Sequence, residues 1–423
     1  MTDFLIAPPT ITQEGDYAVL SASVITPGSE MTLAFRAHSD ANLTITADPF
    51  FAACLIPAMA LGTPLDIADP VSPDLLSSAQ LIQNIFHNWF PELKRIPISA
   101  GCMSKPRKLQ DRVGCFFSGG VDSLHSFLKH RHEITSLVYV HGFDVALADI
   151  PLRKKVSSAL QAFASQTGKE LIEVESNLRE LTDQYGGWGP KMHGPALASV
   201  GLLLDSRMKR VYIPSSYAYS ELHPWASHPL VDPLWSTDTI QFIHDGCEST
   251  RFEKVASIAN DDRALSTLRV CWENRNGSYN CGACEKCIRT MTALEILGVL
   301  HKCLTFSNSL DLELVRQFDL KNDGEVLFWK DNYNAAVKHN RHDIAAALKT
   351  ALDQFNTTEA LKALGNQFKN ITNHTNFDTF VLRYREDILL SLLNSNRDWT
   401  TREVIKENIK RLLKIRTHRD TAK

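Results

Sequence analysis

The spacing of apolar positions changes character once along this 423-residue chain. Toward the N-terminus, "YAVLSASVI" and "EMTLAFRAH" alternate with the two-residue period of half-buried strands. "LLSSAQLIQNIFHNWF" has the longer period of an amphipathic helix, and "KRIPIS" reads as another strand. These patterns predict an α+β domain over residues 1–108, bounded by the polar, proline-containing segment "GCMSKPRKLQDR" at 101–112. From Val113 onward, short β-rich runs at 113–117, 136–142, 170–176 and 210–216 alternate with helical periods. In "PLRKKVSSALQAFASQTG", Leu152, Val156, Ala159, Leu160 and Phe163 share one face, and Pro151 stands at the helix start. Such alternation predicts an α/β fold: a parallel sheet over 109–265 with helices on both faces and ligands at the carboxyl ends of its strands. A cysteine-rich segment with its following helix occupies 266–303, and patterns such as "DIAAALKTALDQF" and "TREVIKENIKRLLKI" predict a helical region over 304–423.

Composition narrows the class. With 44% hydrophobic and 22% charged residues the chain is of ordinary globular type, and a net charge of -3 argues against a protein built mainly to coat nucleic acid. Charge is uneven: residues 397–423 hold nine Lys/Arg against four Asp/Glu. The spacing of Val404, Ile405, Ile409, Leu412 and Leu413 there reads first as a packing face, with the charges solvated. The run "FFAACLIPAMALG" at 50–62 is too short to span a bilayer and contains Pro57, and the opening "MTDFLIAPPTITQEG" lacks the pattern of a secretory signal. The expectation is a soluble cytoplasmic protein. Nine cysteines, four of them between Cys271 and Cys287, suit a metal in a reducing compartment better than a disulfide framework. Cys115, inside the first strand of the alternating region, reads as buried and inert.

The stretch "RVGCFFSGGVDSLHSFLKH", residues 112–130, carries the first chemistry. An apolar strand ends in Ser118-Gly119-Gly120 and restarts as a helix, with Leu124, Phe127 and Leu128 on one face. Exposed amides at a helix N-terminus favour an anion, and glycines let the backbone approach phosphate oxygens closely. Ser118 and Ser123 add hydroxyls. Asp122 would repel a phosphate unless it caps the helix or a cation lies between; a magnesium ion resolves the conflict. Neither the Walker pattern nor G-x-G-x-x-G is present here.

The second motif is Cys271, Cys281, Cys284 and Cys287, spaced C-x9-C-x2-C-x2-C, with Gly282 easing the turn. Four thiolates saturate a tetrahedral zinc and leave no open position, so the expected role is structural, fastening the far end of the sheet. Thiolate count alone leaves an iron–sulfur cluster open.

"SGGVDS" resembles the signature of the PP-loop ATP pyrophosphatases, which cleave ATP to AMP and pyrophosphate while adenylating an oxygen of their substrate. The resemblance implies that Ser118, Gly119, Gly120, Val121, Asp122 and Ser123 hold the pyrophosphate end of ATP. His141, Gly142 and Asp144 of "HGFD" become candidates for the rest of the nucleotide. A PP-loop followed by a late four-cysteine site is similar to the 7-cyano-7-deazaguanine (preQ0) synthases, over roughly residues 110–300. That family adenylates 7-carboxy-7-deazaguanine, admits ammonia to form an amide, and dehydrates the amide to a nitrile. This chain departs from it by about a hundred extra residues at each end. Extended relatives resemble queuosine-like proteins of bacterial anti-phage cassettes, where the deazaguanine is joined to the amino terminus of a partner protein. The implied activity is ATP-dependent carbon–nitrogen ligation with ATP, magnesium and zinc, the acceptor being ammonia or, favoured by the added regions, a protein amine.

Between the motifs lie weaker candidates. Lys191, in "GGWGPKMHGP", could face a carboxylate or phosphate as a catalytic group, beside His193. Tyr217, His223 and Trp225, in "IPSSYAYSELHPWASHPLVDP", suit a heterocycle pocket, and Arg251 a phosphate or carboxylate contact. Two rival readings stay open: a tRNA-modifying PP-loop enzyme such as a thiolase, using the basic tail as its RNA contact, and a nucleotide-binding scaffold without catalysis.

Overall fold

The computed structural model describes residues 4–102 and 111–372, the last thirteen of these by backbone alone. Two compact units divide at Leu310/Asp311.

The first unit is built on one mixed sheet. Its strands are β1 (Phe4–Ile6), β2 (Thr10–Glu14), β3 (Tyr17–Thr26), β4 (Ser29–His38), β5 (Leu65–Val71), β6 (Ile98–Cys102), β7 (Val113–Phe116), β8 (Ser136–His141), β9 (Glu170–Ser176), β10 (Arg210–Pro214) and β11 (Gln241–Asp245). They run in the order β11-β10-β7-β8-β9-β4-β3-β1-β5-β6, with β2 paired to β3. The block β11-β10-β7-β8-β9 is parallel throughout, whereas β9 meets β4 antiparallel, with Phe35 opposite Ser176 and Ala37 opposite Val174. The expected all-parallel sheet is thus half of a mixed one. The division expected at residue 108 is crossed by this pairing, which Arg36 reinforces with a 3.0 Å ion pair to Glu175.

Helices α1 (Asp48–Leu61), α2 (Pro73–Trp89), α3 (Val121–His130), α4 (Ile150–Thr167), α5 (Leu178–Thr182), α6 (His193–Leu203), α7 (Arg251–Ile258), α8 (Asp262–Thr267) and α9 (Glu285–Ile296) complete the unit. Both β7 and β8 are buried along their whole length, as strands covered on two faces must be. Successive side chains serve opposite faces: Val138 and Val140 join the core shared with α1 and α6, while Phe117, Phe127 and Phe163 stack and abut where α3 meets α4. The apolar run at 50–62 is α1, buried from Asp48 through Met59, with Pro57 inside it. Among the described residues no helix is long and apolar enough to cross a membrane.

This strand order reverses direction between β7 and β10. The chain moves outward through β8 and β9 on one side and through β11 on the other, which opens a crevice at the carboxyl ends of β7 and β10. The Ser118-Gly119-Gly120 loop leaves β7 at that crevice.

The second unit is helical over its described part: α10 (Leu312–Arg316), α11 (Asp323–Lys338) and α12 (His342–Thr372). Asn322 caps α11 by accepting from the Glu325 amide, and Phe318 stacks on the buried Trp329. Ile344, Ala347, Leu348 and Ala351 give α12 a buried stripe at helical spacing. The basic tail and its "TREVIKENIKRLLKI" pattern lie outside the described residues.

Candidate functional site

The glycine loop takes its shape from its neighbours. Gly119 has φ +72°, and a Cβ there would stand 3.2 Å from Leu160 Cδ2 and 3.3 Å from the Thr267 carbonyl oxygen. Its own carbonyl accepts from the Arg269 amide at 2.8 Å, so the loop is pinned to the chain that enters the cysteine segment. Gly120 is the N-cap of α3 in extended conformation, without a side-chain cap. Ser118 Oγ accepts from the Gly120 amide. Ser123 turns its hydroxyl back onto the Gly120 carbonyl, 3.0 Å away, and is buried.

A pocket opens beside this loop, lined by Ser118, Gly120, Val121 and Asp122. Its charged lining is four basic side chains, Arg251, Arg269, Lys286 and Arg289, against two carboxylates, Asp122 and Asp144. Burial lowers the proton affinity of both Lys286 and Arg289, although Arg289 lies 3.5 Å from the Glu285 carboxylate one turn earlier on α9. Arg269 is 3% exposed; one guanidinium nitrogen donates to Asn274 Oδ1 at 2.6 Å, and its buried Nε has no acceptor. Such a concave, net-positive surface at a helix N-terminus is electrostatically suited to an anion.

Asp122 does not cap α3. Its carboxylate is held by Arg251 at 2.9 Å and by Lys254 at 3.4 Å. Burial alone would raise its pKa, but the charges of Arg251, Lys254 and Arg289 outweigh that and hold it below the usual carboxylate range. Lys254, only 1% exposed, also donates to the Ser215 carbonyl at 2.7 Å and to Ser215 Oγ at 2.9 Å, tying α7 to the end of β10. The repulsion expected between Asp122 and a phosphate is therefore offset by protein cations.

The four cysteines converge. Their sulfurs lie within 4.8 Å of one another, with Cys281–Cys287 and Cys284–Cys271 both at 3.9 Å. That is far beyond disulfide length and close to the roughly 3.8 Å edge of a tetrahedron with 2.3 Å zinc–sulfur bonds. Gly282 has φ +69° in the turn, the Cys284 amide donates to Cys281 Sγ at 3.3 Å, and Cys284 is the N-cap of α9. The cluster can hold a metal ion such as zinc. It does not sit at the far end of the sheet: Cys271 itself lines the pocket, and Lys286 and Arg289 flank Cys287 on α9.

The remaining candidates divide. Asp144 and Arg251 line the pocket. Lys191, expected to face a ligand, instead pairs with Glu92 at 2.5 Å and lies over the Phe90 ring, away from the pocket lining. His141 is buried and bonded to Glu173 at 2.9 Å; Gly142, φ +96°, fits where a Cβ would strike the Ser176 carbonyl. Both shape the end of β8 and neither lines the pocket. Tyr217, His223 and Trp225 form one aromatic cluster, with Tyr217 centroids 4.4 Å from His223 and 5.5 Å from Trp225. His193 contacts Trp225 and its Nδ1 lies 2.7 Å from the Gly189 carbonyl. Burial raises the Tyr217 pKa and the charges of Arg289 and Arg251 oppose that rise, but none of Tyr217, His223, Trp225 and His193 is in the pocket lining. Burial raises the Cys115 thiol well above its ordinary value, in keeping with an inert core cysteine.

Sequence reasoning missed Lys254, Arg269, Lys286 and Arg289. Their one local signal is proximity to motifs: Lys254 is a helical turn beyond Arg251, Arg269 and Arg289 bracket the cysteines, and Lys286 lies between Cys284 and Cys287. Comparison with protein-family models, with curated proteins and with solved structures finds no match to this chain.

Proposed function

We propose that the chain is an ATP-dependent, AMP- and pyrophosphate-forming ligase of PP-loop type that adenylates a deazaguanine carboxylate and joins it to an amine. The observation that carries this reading is the union of "SGGVDS" with four basic side chains in one pocket, at the point where the strand order reverses. Backbone amides of the loop and the Arg269, Lys286 and Arg289 charges are suited to the β- and γ-phosphates. Asp122 and Asp144 supply carboxylate oxygens of the kind a magnesium ion accompanying the triphosphate would take, offsetting charge on the leaving diphosphate. A substrate carboxylate oxygen attacks the α-phosphorus and pyrophosphate leaves; an amine then attacks the acyl carbon and AMP leaves. The chain's own contribution is orientation and charge stabilisation.

The amine is a protein amino terminus in this reading; with ammonia as the alternative acceptor the product is the amide, which a second ATP-dependent activation with loss of water would convert to the nitrile preQ0. Zinc is the metal proposed for the cysteine cluster. The thiolase alternative gains nothing here, since Cys115 is sealed in the core.

The test measures pyrophosphate release and labelled AMP with 7-carboxy-7-deazaguanine and an amine added singly and together. Release that ignores the deazaguanine defeats the substrate assignment, and production of ADP alone defeats adenylation. Intact-mass spectrometry of co-produced partner proteins decides the acceptor: a deazaguanine-sized adduct supports the protein amine, and its absence returns the product to the nitrile.

A further inference from the structure

Trp272 follows the first metal-ligand cysteine, lines the anion pocket, and is 55% exposed, among the largest exposures of any apolar side chain in the described residues. An indole left in water costs hydrophobic free energy, and Trp272 is the one aromatic side chain in the lining of this pocket, which is otherwise mainly charged and polar. The loop that carries it is held in place from both ends. Asn280 Oδ1 accepts from the Val270 and Cys271 amides at 2.9 and 3.2 Å. Asn274, in the left-handed region at φ +51°, accepts from Arg269 and donates to the Asp144 carbonyl at 2.8 Å. The loop thus bridges the cysteine cluster and the end of β8, and it brings the Trp272 side chain into the lining of a pocket that also holds four cations.

We propose that Trp272 is a stacking platform for the planar heterocycle of an anionic ligand whose acidic groups sit on Arg251, Arg269, Lys286 and Arg289. The chemistry recognised is a flat purine-like ring carrying phosphate or carboxylate, which both ATP and a carboxylated deazaguanine satisfy. This rests on the reading of the pocket given above and adds to it a residue that reads the ring and not the charge. Stacking of a base on an aromatic side chain is worth about 1–3 kcal/mol, or roughly five- to 150-fold in affinity.

Calorimetric binding to the full, metal-loaded chain, using ATP, 7-carboxy-7-deazaguanine and ring-free tripolyphosphate, separates the two contributions. Trp272→Ala is expected to weaken ATP or the deazaguanine about tenfold or more, to leave tripolyphosphate within about twofold, and to abolish the quenching of tryptophan fluorescence on ring binding. Trp272→Phe is expected to restore most of the affinity. The probe that weakens identifies the ring. The stacking role is overturned if Trp272→Ala leaves both ring-bearing probes unchanged, or weakens tripolyphosphate as much as they weaken. Should Trp272→Ala lose the metal, Trp272→Leu, which keeps bulk without a π-face, decides by the same criteria. A wild-type chain that binds none of the probes overturns the reading of the pocket itself, a result distinguishable from failure of the stacking alone.

Discussion

Replacing Asp122 by Asn removes one charge from the pocket while nearly preserving shape, so its effects separate three roles of one side chain. In stability, the loss is of a carboxylate shared by Arg251 and by Lys254, which is 1% exposed. Breaking a fully buried pair costs about 3–5 kcal/mol. Here Asp122 is 21% exposed, Asn keeps an acceptor, and Lys254 retains both Ser215 oxygens, so a loss of about 2 kcal/mol is expected from urea denaturation. In binding, the sign is opposite. Coulomb's law at an effective dielectric of about 20 gives roughly 3 kcal/mol for unit charges about 6 Å apart, and screening at an open pocket reduces this to about 1–2 kcal/mol. Without magnesium, Asp122→Asn should therefore bind tripolyphosphate about tenfold more tightly by calorimetry. In catalysis, the proposed magnesium loses a ligand, and AMP formation should fall about a hundredfold. A variant that is less stable, tighter for the metal-free anion and slower fits only a carboxylate embedded in an anion site. Weaker metal-free tripolyphosphate binding by a folded Asp122→Asn would refute the reasoning.

Three further outcomes follow from the same geometry. Stripping metal from the cysteine cluster should release stoichiometric zinc, detected with a chromogenic chelator, and abolish tripolyphosphate binding while far-ultraviolet circular dichroism keeps its strand signal; anion binding by the metal-free chain would show that the cluster does not organise the pocket. Gly119→Ala, forced to φ +72° against Leu160 and the Thr267 carbonyl, should cost about 1–3 kcal/mol and lower the melting temperature, and an unchanged melting temperature would contradict the close packing of the loop. His244, buried against Asp232 at 2.7 Å, has its pKa pulled down by burial but raised more by that hydrogen bond, to about 9 from 6.5. Its contribution, about 3 kcal/mol for such a shift, is complete below pH 6.5 and is lost as pH rises through about 9, so urea denaturation should show an alkaline loss that Asp232→Asn abolishes.

The parts of the fold that were legible are those whose signal is local. The strands β7, β8, β9 and β10 begin at the residues where unbroken apolar or alternating runs begin, and α4 spans Ile150–Thr167 as its apolar face predicts. By contrast α1 has no polar face, since it is buried between α6 and the sheet, so no helical period distinguishes it. The junction of β4 with β9 depends on pairing across about 140 residues, which no window of sequence contains. The same division holds at the site. The glycine loop and the cysteines are recognisable by spacing, whereas Arg269, Lys286 and Arg289 look like any solvated charges until the chain folds over them. Lys191 misleads for the converse reason: it sits among glycines like a ligand-facing residue, yet Glu92, 99 positions earlier, captures it.

Why a four-cysteine cluster should stand beside an anion pocket follows from what the pocket requires. Cations crowded around a small volume repel one another, and the surrounding chain must fix their positions. Arg251 is held by Asp122 in the α3–α7 pair and Arg289 lies 3.5 Å from Glu285 on α9, while Arg269, Lys286 and Arg289 all belong to the segment that the cysteines close. The Arg269 amide bonds the Gly119 carbonyl, the Tyr279 hydroxyl donates to the Thr267 carbonyl at 2.7 Å, and Asn274 joins Arg269 to Asp144. Through these bonds two motifs separated by about 150 residues become one structure, with the glycine loop fixed by the same chain that supplies the charge. A metal ion on Cys271, Cys281, Cys284 and Cys287 would then contribute preorganisation: the repulsion among the basic groups is met once, on folding and metal binding, and need not be met again by each ligand.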